Sequence, residues 1–447
     1  MQDEKEPSKV YMTDLPDKAK KKGGLLFAGR AFRHRNYRLF FTGQGLSLIG
    51  TWMQSIAMSW LVYRLTGSAA LLGLIGFVAM APMFFATTLA GVFVDRWDRR
   101  RLLLLTNLLA MIQAAVLGVL TLTGHIAVWH IFALGFCLGL VNAFDMPTRQ
   151  AFVIDMVERK EDLTNAIALN SAMFNGARLV GPALAGLTVA AFGEGICFLI
   201  NGLSFLTIIV ALLAMRIRPR PKKAVAGRPF EGFKEGYRYV FGFLPIRYCI
   251  LLLALMSLIG LQHSTLMPVF AKDILHGGAH TLGFLVSASG VGALLSAFYF
   301  ASRKSVVGLE KFASAALALF GCANMVFSFS RSVTLSLFAM VVSGAGMMTV
   351  LLACNTIIQT VVEEDKRGRV MSFHAMAAVG TMPFGSLIAG IMAAHLGAPR
   401  AVLISAACCV VGSAFFARKV PSLRSAVRPV YVAHGIITET SKETPYR

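Results

Sequence analysis

Long apolar runs are the feature that most restricts how this chain can fold. Mainly apolar runs recur from Tyr37 to Arg418. Each has about 18 or more residues, enough to cross the roughly 30 Å hydrocarbon core of a bilayer as a helix. Charged residues make up only 15% of the chain, against about 25% in soluble domains. Because helices are the spanning form that fits runs of this length, the sequence predicts an all-α membrane protein.

The apolar runs fall into two blocks, which predicts twelve transmembrane helices in two six-helix pseudo-repeats. The last span is predicted to end at Ala417, and an amphipathic surface helix is expected at Phe230–Phe243. The first residues, polar and of both charge signs, are interpreted as a disordered tail without a cleaved signal peptide. The predicted organisation is a tail (1–36), a six-helix bundle (37–215), a linker (216–245), a second six-helix bundle (246–418) and a second tail (419–447).

The two blocks repeat parts of one another. Residues 150–158 resemble the segment that begins at Gln359, and residues 181–186 align with 385–390, so matched positions lie 204–209 residues apart. An internal duplication of six-helix units is typical of alternating-access transporters, whose substrate site lies between the halves. The second block has no acid matching Asp145, which concentrates the charged chemistry in the first block.

The net charge of +21 is compatible with nucleic-acid binding, but its distribution indicates membrane topology instead. Of the 43 Lys and Arg residues, two lie in spans and four lie in the loops on one side of the predicted bundle. The tails and the alternate loops hold all the others. Because cytoplasmic loops carry such an excess of Lys and Arg, we expect both termini on the cytoplasmic side of a bacterial inner membrane. We expect no nucleic-acid partner. The four loop residues are Arg64, Lys272, Arg331 and Arg400.

No pattern in the sequence is typical of an enzyme or of a cofactor site. The seven cysteines all fall in apolar runs without metal-ligand spacing, and we interpret them as small packing residues. No GxxxxGK[ST] motif for nucleotide phosphates occurs, and the spans hold no nucleophile–base pair. We therefore expect no metal, no cofactor and no enzymatic activity, and a proton gradient rather than ATP as the energy source.

Three charged residues inside predicted spans mark an interior polar site: Asp145 and Arg149 in the fourth span and Arg178 in the fifth. A charge at the bilayer centre costs roughly 2.5–3.5 kcal/mol on insertion scales, so such residues face a partner or a water-filled cavity. We predict that Asp145 couples transport to protons by pairing with Arg149, one helical turn away, or with Arg178. A salt bridge that only holds the two helices together is the alternative.

Further polar residues recur at helical spacing in other spans and are candidates for a transport cavity. In the first span the alternative is hydrogen bonding to a neighbouring helix, and for His263 it is packing near the outer surface. The cavity candidates are Gln44, Thr51, Gln54, Asn142, Asn175, His263, Asn355 and Gln359.

Two motifs complete the candidate residues. The short loop after the second span is dense in charge, and its arginines are expected to pair with Asp155 or Glu158 at the end of the fourth span. A positive-inside anchor without such a latch is the alternative. The fifth span carries small residues and a proline, which suit close packing against the other half; simple helix packing without a coupling role is the alternative. The loop residues are Gly91, Asp95, Arg96, Arg99 and Arg100, and the fifth-span residues are Gly176, Gly181, Pro182 and Gly186.

From about Phe32 to Lys419 the chain resembles the major facilitator superfamily. The loop motif Gly91-x-x-x-Asp95-Arg96-x-Asp98-Arg99-Arg100 looks like its cytoplasmic signature, with Asp98 where glycine is usual. Residues 181–186, GPALAG, resemble the fifth-helix motif of proton-coupled antiporters, and residues 143–152 and 165–171 resemble the enterobactin-exporter-like branch. The resemblance implies two bundles rocking about a central cavity lined by the first, fourth, seventh and tenth spans. The basic residue usual early in the fourth span of drug antiporters is absent.

These features predict a secondary active transporter, a proton-coupled exporter of drugs or siderophore-like metabolites that works as a monomer. Its expected partners are a small-molecule substrate, protons and the lipid bilayer. A facilitator or importer on the same fold is one alternative, and a non-transporting receptor or scaffold is another. The sequence leaves the substrate open between lipophilic cations, which suit the Met- and Phe-rich second span, and anions, which suit the two arginines.

Overall fold

The computed structural model describes residues 29–157, 159–217, 229–303 and 305–437, without the side chains of 86–96, 160 and 229–234. The predicted disorder of the first 28 residues and the last ten lies outside this part of the chain. Disorder is not observed for residues 30–36. A 3₁₀ turn at Arg30–Arg33 precedes the first helix, and the Ala31 N–H donates to Asn165 Oδ1 at 2.9 Å.

The first half contains six long helices. One helical run, Lys160–Ala214, has non-helical backbone at Gly193 (φ 81°, ψ 172°), and we divide it there. A positive φ of this size favours glycine, which has no Cβ. The helices are α1 (Arg35–Thr66), α2 (Ala69–Arg96), α3 (Arg99–Leu122), α4 (Val128–Met156), α5 (160–192) and α6 (194–214).

The second half begins after a surface helix, α7 (Pro229–Gly242), close to the predicted position. Two of its six long helices, α8 and α12, contain π-helical turns, which interrupt the regular hydrogen-bond ladder. The helices are α8 (Leu244–Ile274), α9 (Ala279–Ser302), α10 (Leu309–Phe329), α11 (Val333–Val361), α12 (Arg367–Leu396) and α13 (Ala398–Ala433).

The predicted fold of twelve spans in two six-helix halves is confirmed. In the described part of the chain, nine helical runs are long and apolar enough to cross a membrane. One of them contains both α5 and α6, and α1 and α2 complete the set. Because the number of spans is even, the start of the first helix and the end of the last helix lie on the same side of the membrane. We name the side where α1 begins and α13 ends the terminal face, and the other side the opposite face.

The last helix is longer than predicted. It continues from the expected end at Ala417 to Ala433. Four apolar residues with helical spacing are buried along this extension, and Arg424 Nε lies 2.5 Å from Glu310 Oε1 of α10. The apolar stripe packs on the second half, so these residues are not a free tail. The four are Val420, Leu423, Val427 and Tyr431.

The two halves meet along two helix pairs, α2 with α12 and α5 with α9. An ideal Cβ on Gly73 would lie 2.5 Å from Ser386 O. One on Gly186 would lie 2.7 Å from Ala279 O, and Ser287 Oγ of α9 donates to Leu179 O at 2.8 Å. These contacts extend from the opposite face to mid-depth, and they hold the halves together there.

Candidate functional site

Asp145 lies in a polar site inside the first half. Its Oδ2 accepts a hydrogen bond from Arg149 Nη2 at 2.6 Å, across the helical turn that contains Pro147. Its Oδ1 accepts from Thr106 Oγ1 at 2.9 Å and from Asn107 Nδ2 at 3.2 Å, both on α3. The Asp145 side chain is buried, and an ionised carboxylate that accepts from three donors is well compensated there.

A cavity of about 40 Å³ adjoins this carboxylate, between α1, α3, α4 and α6. At roughly 10–15 Å³ for each water position, it has room for about three waters. Several predicted cavity residues line it, and so do the residues that bind Asp145, so a proton has a polar environment beside the carboxylate. The predicted cavity residues are Gln44, Thr51 and Asn142, and the predicted coupling residues are Asp145 and Arg149.

Arg178 does not belong to this site. Its Nη2 donates to Met347 Sδ of α11 at 3.7 Å, and its guanidinium carbon lies 5.9 Å from the Trp52 ring centroid. Of the two partners that the sequence left open for Asp145, the structure gives Arg149 and not Arg178. The three predicted charges therefore form two separate sites, one with Asp145 and Arg149 and one with Arg178, because Arg178 contacts the second half.

Gln54 belongs to a buried amide cluster. Its Nε2 donates to Gln113 Oε1 of α3 at 2.9 Å, and its Oε1 accepts from Asn201 Nδ2 of α6 at 2.7 Å. All three side chains are buried. For Gln54 this arrangement matches the alternative to a cavity role, in which a polar residue of the first span forms hydrogen bonds with neighbouring helices.

The other candidates lie outside the Asp145 site, with Asn175 on α5 and the remaining three in the second half. Asn175 of α5 is partly exposed and donates to Ser171 O at 2.8 Å. On α11, Gln359 Nε2 donates to Asn355 Oδ1 at 3.0 Å, and both side chains are at least partly exposed. His263 is buried, with Nδ1 3.2 Å from Gly260 O and its ring edge-on to Phe320. This arrangement matches the alternative of a packing histidine.

The small residues of α5 differ in their surroundings. An ideal Cβ on Gly186 would meet α9 of the other half, and one on Gly181 would lie 2.6 Å from Trp52 Cβ of α1 in the same half. Pro182 O lies 2.4 Å from an ideal Cβ on Gly283 of α9. Among the described residues, no atom lies within 4 Å of such a Cβ on Gly176. The predicted packing against the other half therefore describes Gly186 and Pro182 but neither Gly176 nor Gly181.

The charged loop after α2 holds helix ends together at the terminal face. Arg99 Nη1 donates to Asp155 Oδ2 of α4 at 3.0 Å, as the sequence led us to expect. Arg100 donates to the Leu212 and Leu213 carbonyls at the end of α6. Asp98, where the superfamily signature has glycine, caps α3 by accepting from Arg101 N at 2.8 Å. Glu158 lies outside the described part of the chain, as do the side chains of Asp95 and Arg96 and the surroundings of Gly91.

Four buried polar residues that bind the candidate residues were missed from the sequence: Thr106, Asn107, Gln113 and Asn201. Each is a buried polar residue in α3 or α6, two helices taken as ordinary apolar spans. A signal was present, since adjacent Thr106 and Asn107 interrupt a run of leucines and polar residues inside membranes are usually functional. The periodicity that favours a polar face requires several residues, and one pair does not produce it.

The model of the transmembrane secretion effector family matches residues 28–434. The chain belongs to this family of major facilitator superfamily transporters. It is 24% identical over 366 residues to a staphyloferrin A transporter of Staphylococcus aureus (strain NCTC 8325 / PS 47), covering 81% of this chain and 91% of the relative. It is 28% identical over 390 residues to the multidrug efflux pump Tap of Mycobacterium bovis (strain BCG / Pasteur 1173P2), covering 85% and 92%.

Solved structures support the same fold. A bacterial homologue of the human lysosomal transporter Spinster, in an inward-facing and occupied conformation, superposes with a TM-score of 0.69 at 13% identity, covering 88% of this chain and 98% of that one. A bacterial homologue of the iron transporter ferroportin superposes with a TM-score of 0.65 at 18% identity, covering 86% and 98%. These structures show the fold, and membership of the transmembrane secretion effector family makes this protein a multi-pass membrane transporter of a small molecule and not an enzyme.

Proposed function

We propose that this transporter exports a small molecule from the cytoplasm across a bacterial inner membrane, driven by a proton gradient. Its halves are joined at the opposite face, while exposed polar side chains line α5 and α11 toward the terminal face. The positive charge of the loops favours a cytoplasmic terminal face. One chain supplies both halves, so a monomer suffices, and the multidrug efflux pump Tap is among its relatives.

The observation that carries the proton-coupling proposal is the Asp145 site. A carboxylate that pairs with Arg149 at 2.6 Å loses that pair when it is protonated, which leaves Arg149 without a counter-charge. Pro147 lies between the two residues and lacks the N–H of a regular helical hydrogen bond. Protonation therefore releases a constraint at the point where α4 bends most easily, and bending moves the end of α4 that Asp155 anchors to α3.

Gradient-driven uptake tests this proposal. Inside-out vesicles that contain the full chain are energised by respiration, and two probes are offered: ethidium, a lipophilic cation, and 2-naphthoate, an aromatic carboxylate. We expect uptake of one or both that depends on the proton gradient. Asp145→Asn, which keeps the size of the side chain but cannot release a proton, should remove that dependence.

Asp98→Asn is the matched control, because it also replaces a carboxylate by an amide but keeps an equally good helix cap, and it should transport as the wild type does. Gradient-driven transport by Asp145→Asn would disprove the coupling role. Transport that needs no gradient would identify a facilitator, and uptake only into right-side-out vesicles would identify an importer.

A further inference from the structure

Arg178 is a cation between the two halves whose contacts are uncharged. Its Nη2 donates to Met347 Sδ of α11 at 3.7 Å, and its guanidinium carbon lies 5.9 Å from the Trp52 ring centroid of α1. Within the described residues, no carboxylate forms a salt bridge with Arg178. Arg149, by contrast, pairs with Asp145 at 2.6 Å.

These three side chains share one level of the bundle. Trp52, Arg178 and Met347 each lie 14 residues from the end of their helix at the opposite face, where α1 ends, α5 ends and α11 begins. At 1.5 Å per residue this distance is about 21 Å, which is deep inside a hydrocarbon core of roughly 30 Å. A lipid headgroup does not lie at that depth, so the charge of Arg178 is not explained by binding lipid phosphates.

The local contacts compensate the Arg178 charge only in part. Arginine stays protonated in proteins, and a thioether sulfur is a weak acceptor. The ring of Trp52 attracts a cation, but less strongly than a carboxylate does. Charged residues inside membranes mark substrate or ion pathways. An anion that visits this level would complete the site, whereas the anion that completes the Asp145–Arg149 site is part of the protein.

Polar side chains connect this level to the terminal face. On α5, Asn175 and Ser171 precede Arg178 by one and two turns, and both are at least partly exposed. On α11, Asn355 and Gln359 follow Met347 by two and three turns, and both are also at least partly exposed. A charged molecule therefore reaches Arg178 along two polar helix faces, one from each half.

We propose that Arg178 binds a carboxylate of the transported molecule while Trp52 and Met347 contact its apolar part. The planar guanidinium fits a carboxylate with two parallel hydrogen bonds. A single cation with apolar neighbours suits one charged group better than a phosphate, which brings more charge and more acceptors. Trp52 is itself in edge-on contact with Phe174, with ring centroids 5.9 Å apart. This inference rests on the proposed function, and it names the substrate class as small carboxylic acids with an apolar body.

Ligand protection of the purified full-length chain in an uncharged detergent tests the assignment without transport. Two acid–amide pairs are compared by the rise in melting temperature: 2-naphthoate with 2-naphthamide, and hexanoate with hexanamide. We expect at least one acid to bind about tenfold or more tightly than its amide, because only the acid forms a charge-assisted pair. In Arg178→Gln the acid and its amide should raise the melting temperature equally. Arg178→Lys should keep part of the preference for the acid.

Arg331→Gln is the matched control, because Arg331 lies in the loop before α11, away from this level, and it should keep the full preference. Acids that protect no better than their amides in wild type, or an acid preference that persists in Arg178→Gln, would overturn the proposal. Gradient-driven uptake of ethidium into inside-out vesicles that contain the full chain would show that the transport function stands even then.

The ligand-free melting temperature is a second readout. Removing a charge that lacks a counter-ion should leave the melting temperature of Arg178→Gln unchanged or higher than that of wild type. Removing a paired charge, in Arg149→Gln, should lower it, because Asp145 is left alone. A fall in Arg178→Gln as large as the fall in Arg149→Gln would identify Arg178 as a structural residue and would refute the ligand-binding role.

Discussion

At the scale of single residues, Asp145 shows how a charge is made acceptable inside a membrane. Two hydrogen bonds from α3 and one ion pair from the next turn of α4 occupy its oxygens. In the described part of the chain, the buried Nε of Arg149 has no hydrogen-bond partner, and the adjoining cavity has room for a water beside it. A compensated carboxylate of this kind is stable while paired, and it is costly to leave alone.

The stability of this pair can be measured by a double-mutant cycle. Arg149→Gln should destabilise the protein by about 3–5 kcal/mol, the usual effect of leaving one buried charge unpaired. Adding Asp145→Asn should restore much of the loss, because no charge then remains. Melting temperatures of the purified single and double variants give the comparison. Strictly additive effects would mean that the two side chains do not interact.

At the scale of helices, α5 joins its own half of the molecule to the other half. It packs on α1 at Gly181 and on α9 of the other half at Gly186. Both contacts require a residue without Cβ, because the opposing atoms are backbone or a side-chain Cβ at under 3.0 Å. The same helix carries Arg178 between these contacts and its terminal-face end, so the site and the closure depend on one element.

Replacing either of two glycines of α5 by alanine should distinguish the effect of close packing on transport from the effect of helix propensity. Gly186→Ala places a Cβ 2.7 Å from Ala279 O, so it should push the halves apart at the opposite face and reduce the transport rate at least tenfold, as displacements of about 1 Å in a functional site do in enzymes. Gly176→Ala adds the same methyl group in open space and should transport normally. The initial rate of gradient-driven uptake in vesicles is the measurement, and equal rates for both variants would contradict the packing argument.

At the scale of the whole molecule, the halves are closed at the opposite face and the polar path opens toward the terminal face. The Tyr63 hydroxyl of α1 donates to Asp273 Oδ2 of α8, which joins the halves at the opposite face. Lys272 Nζ lies 5.5 Å from the Tyr63 ring centroid. In alternating access this contact must break when the opposite face opens.

Tyr63→Phe should therefore shift the population toward the state that is open at the opposite face. A hydrogen bond contributes about 0.5–1.5 kcal/mol net, which corresponds to a shift of about two- to tenfold. The measurement is the rate at which maleimide labels Gln359→Cys from the terminal face, after the labelling of the native cysteines is subtracted. This rate should fall in Tyr63→Phe. Tyr299→Phe, a matched change at an exposed residue of α9, should leave labelling unchanged. Faster labelling in Tyr63→Phe would contradict the closed-gate assignment.

The sequence by itself determined the spans, the two halves and the family. Apolar runs and loop charges are local properties, so chain order alone reveals them. The Asp145–Arg149 pair was predictable for the same reason, since residues four apart share a helix face. The contact of Arg99 with Asp155 followed from charge and from the ends of two adjacent spans. In contrast, the extension of α13 to Ala433 was not predicted, because charged residues alternate with its apolar stripe after Ala417.

Only the tertiary structure decided which polar residues meet. Thr106 and Asn107 bind Asp145 from a different helix, and Gln54 turns to Gln113 and Asn201 instead of a central cavity. The direction of a polar side chain depends on how each helix is rotated against its neighbours, and packing sets that rotation. The same packing separates Arg178 from Asp145. It divides charges that look alike in the sequence into a site that the protein completes itself and one that we propose its substrate completes.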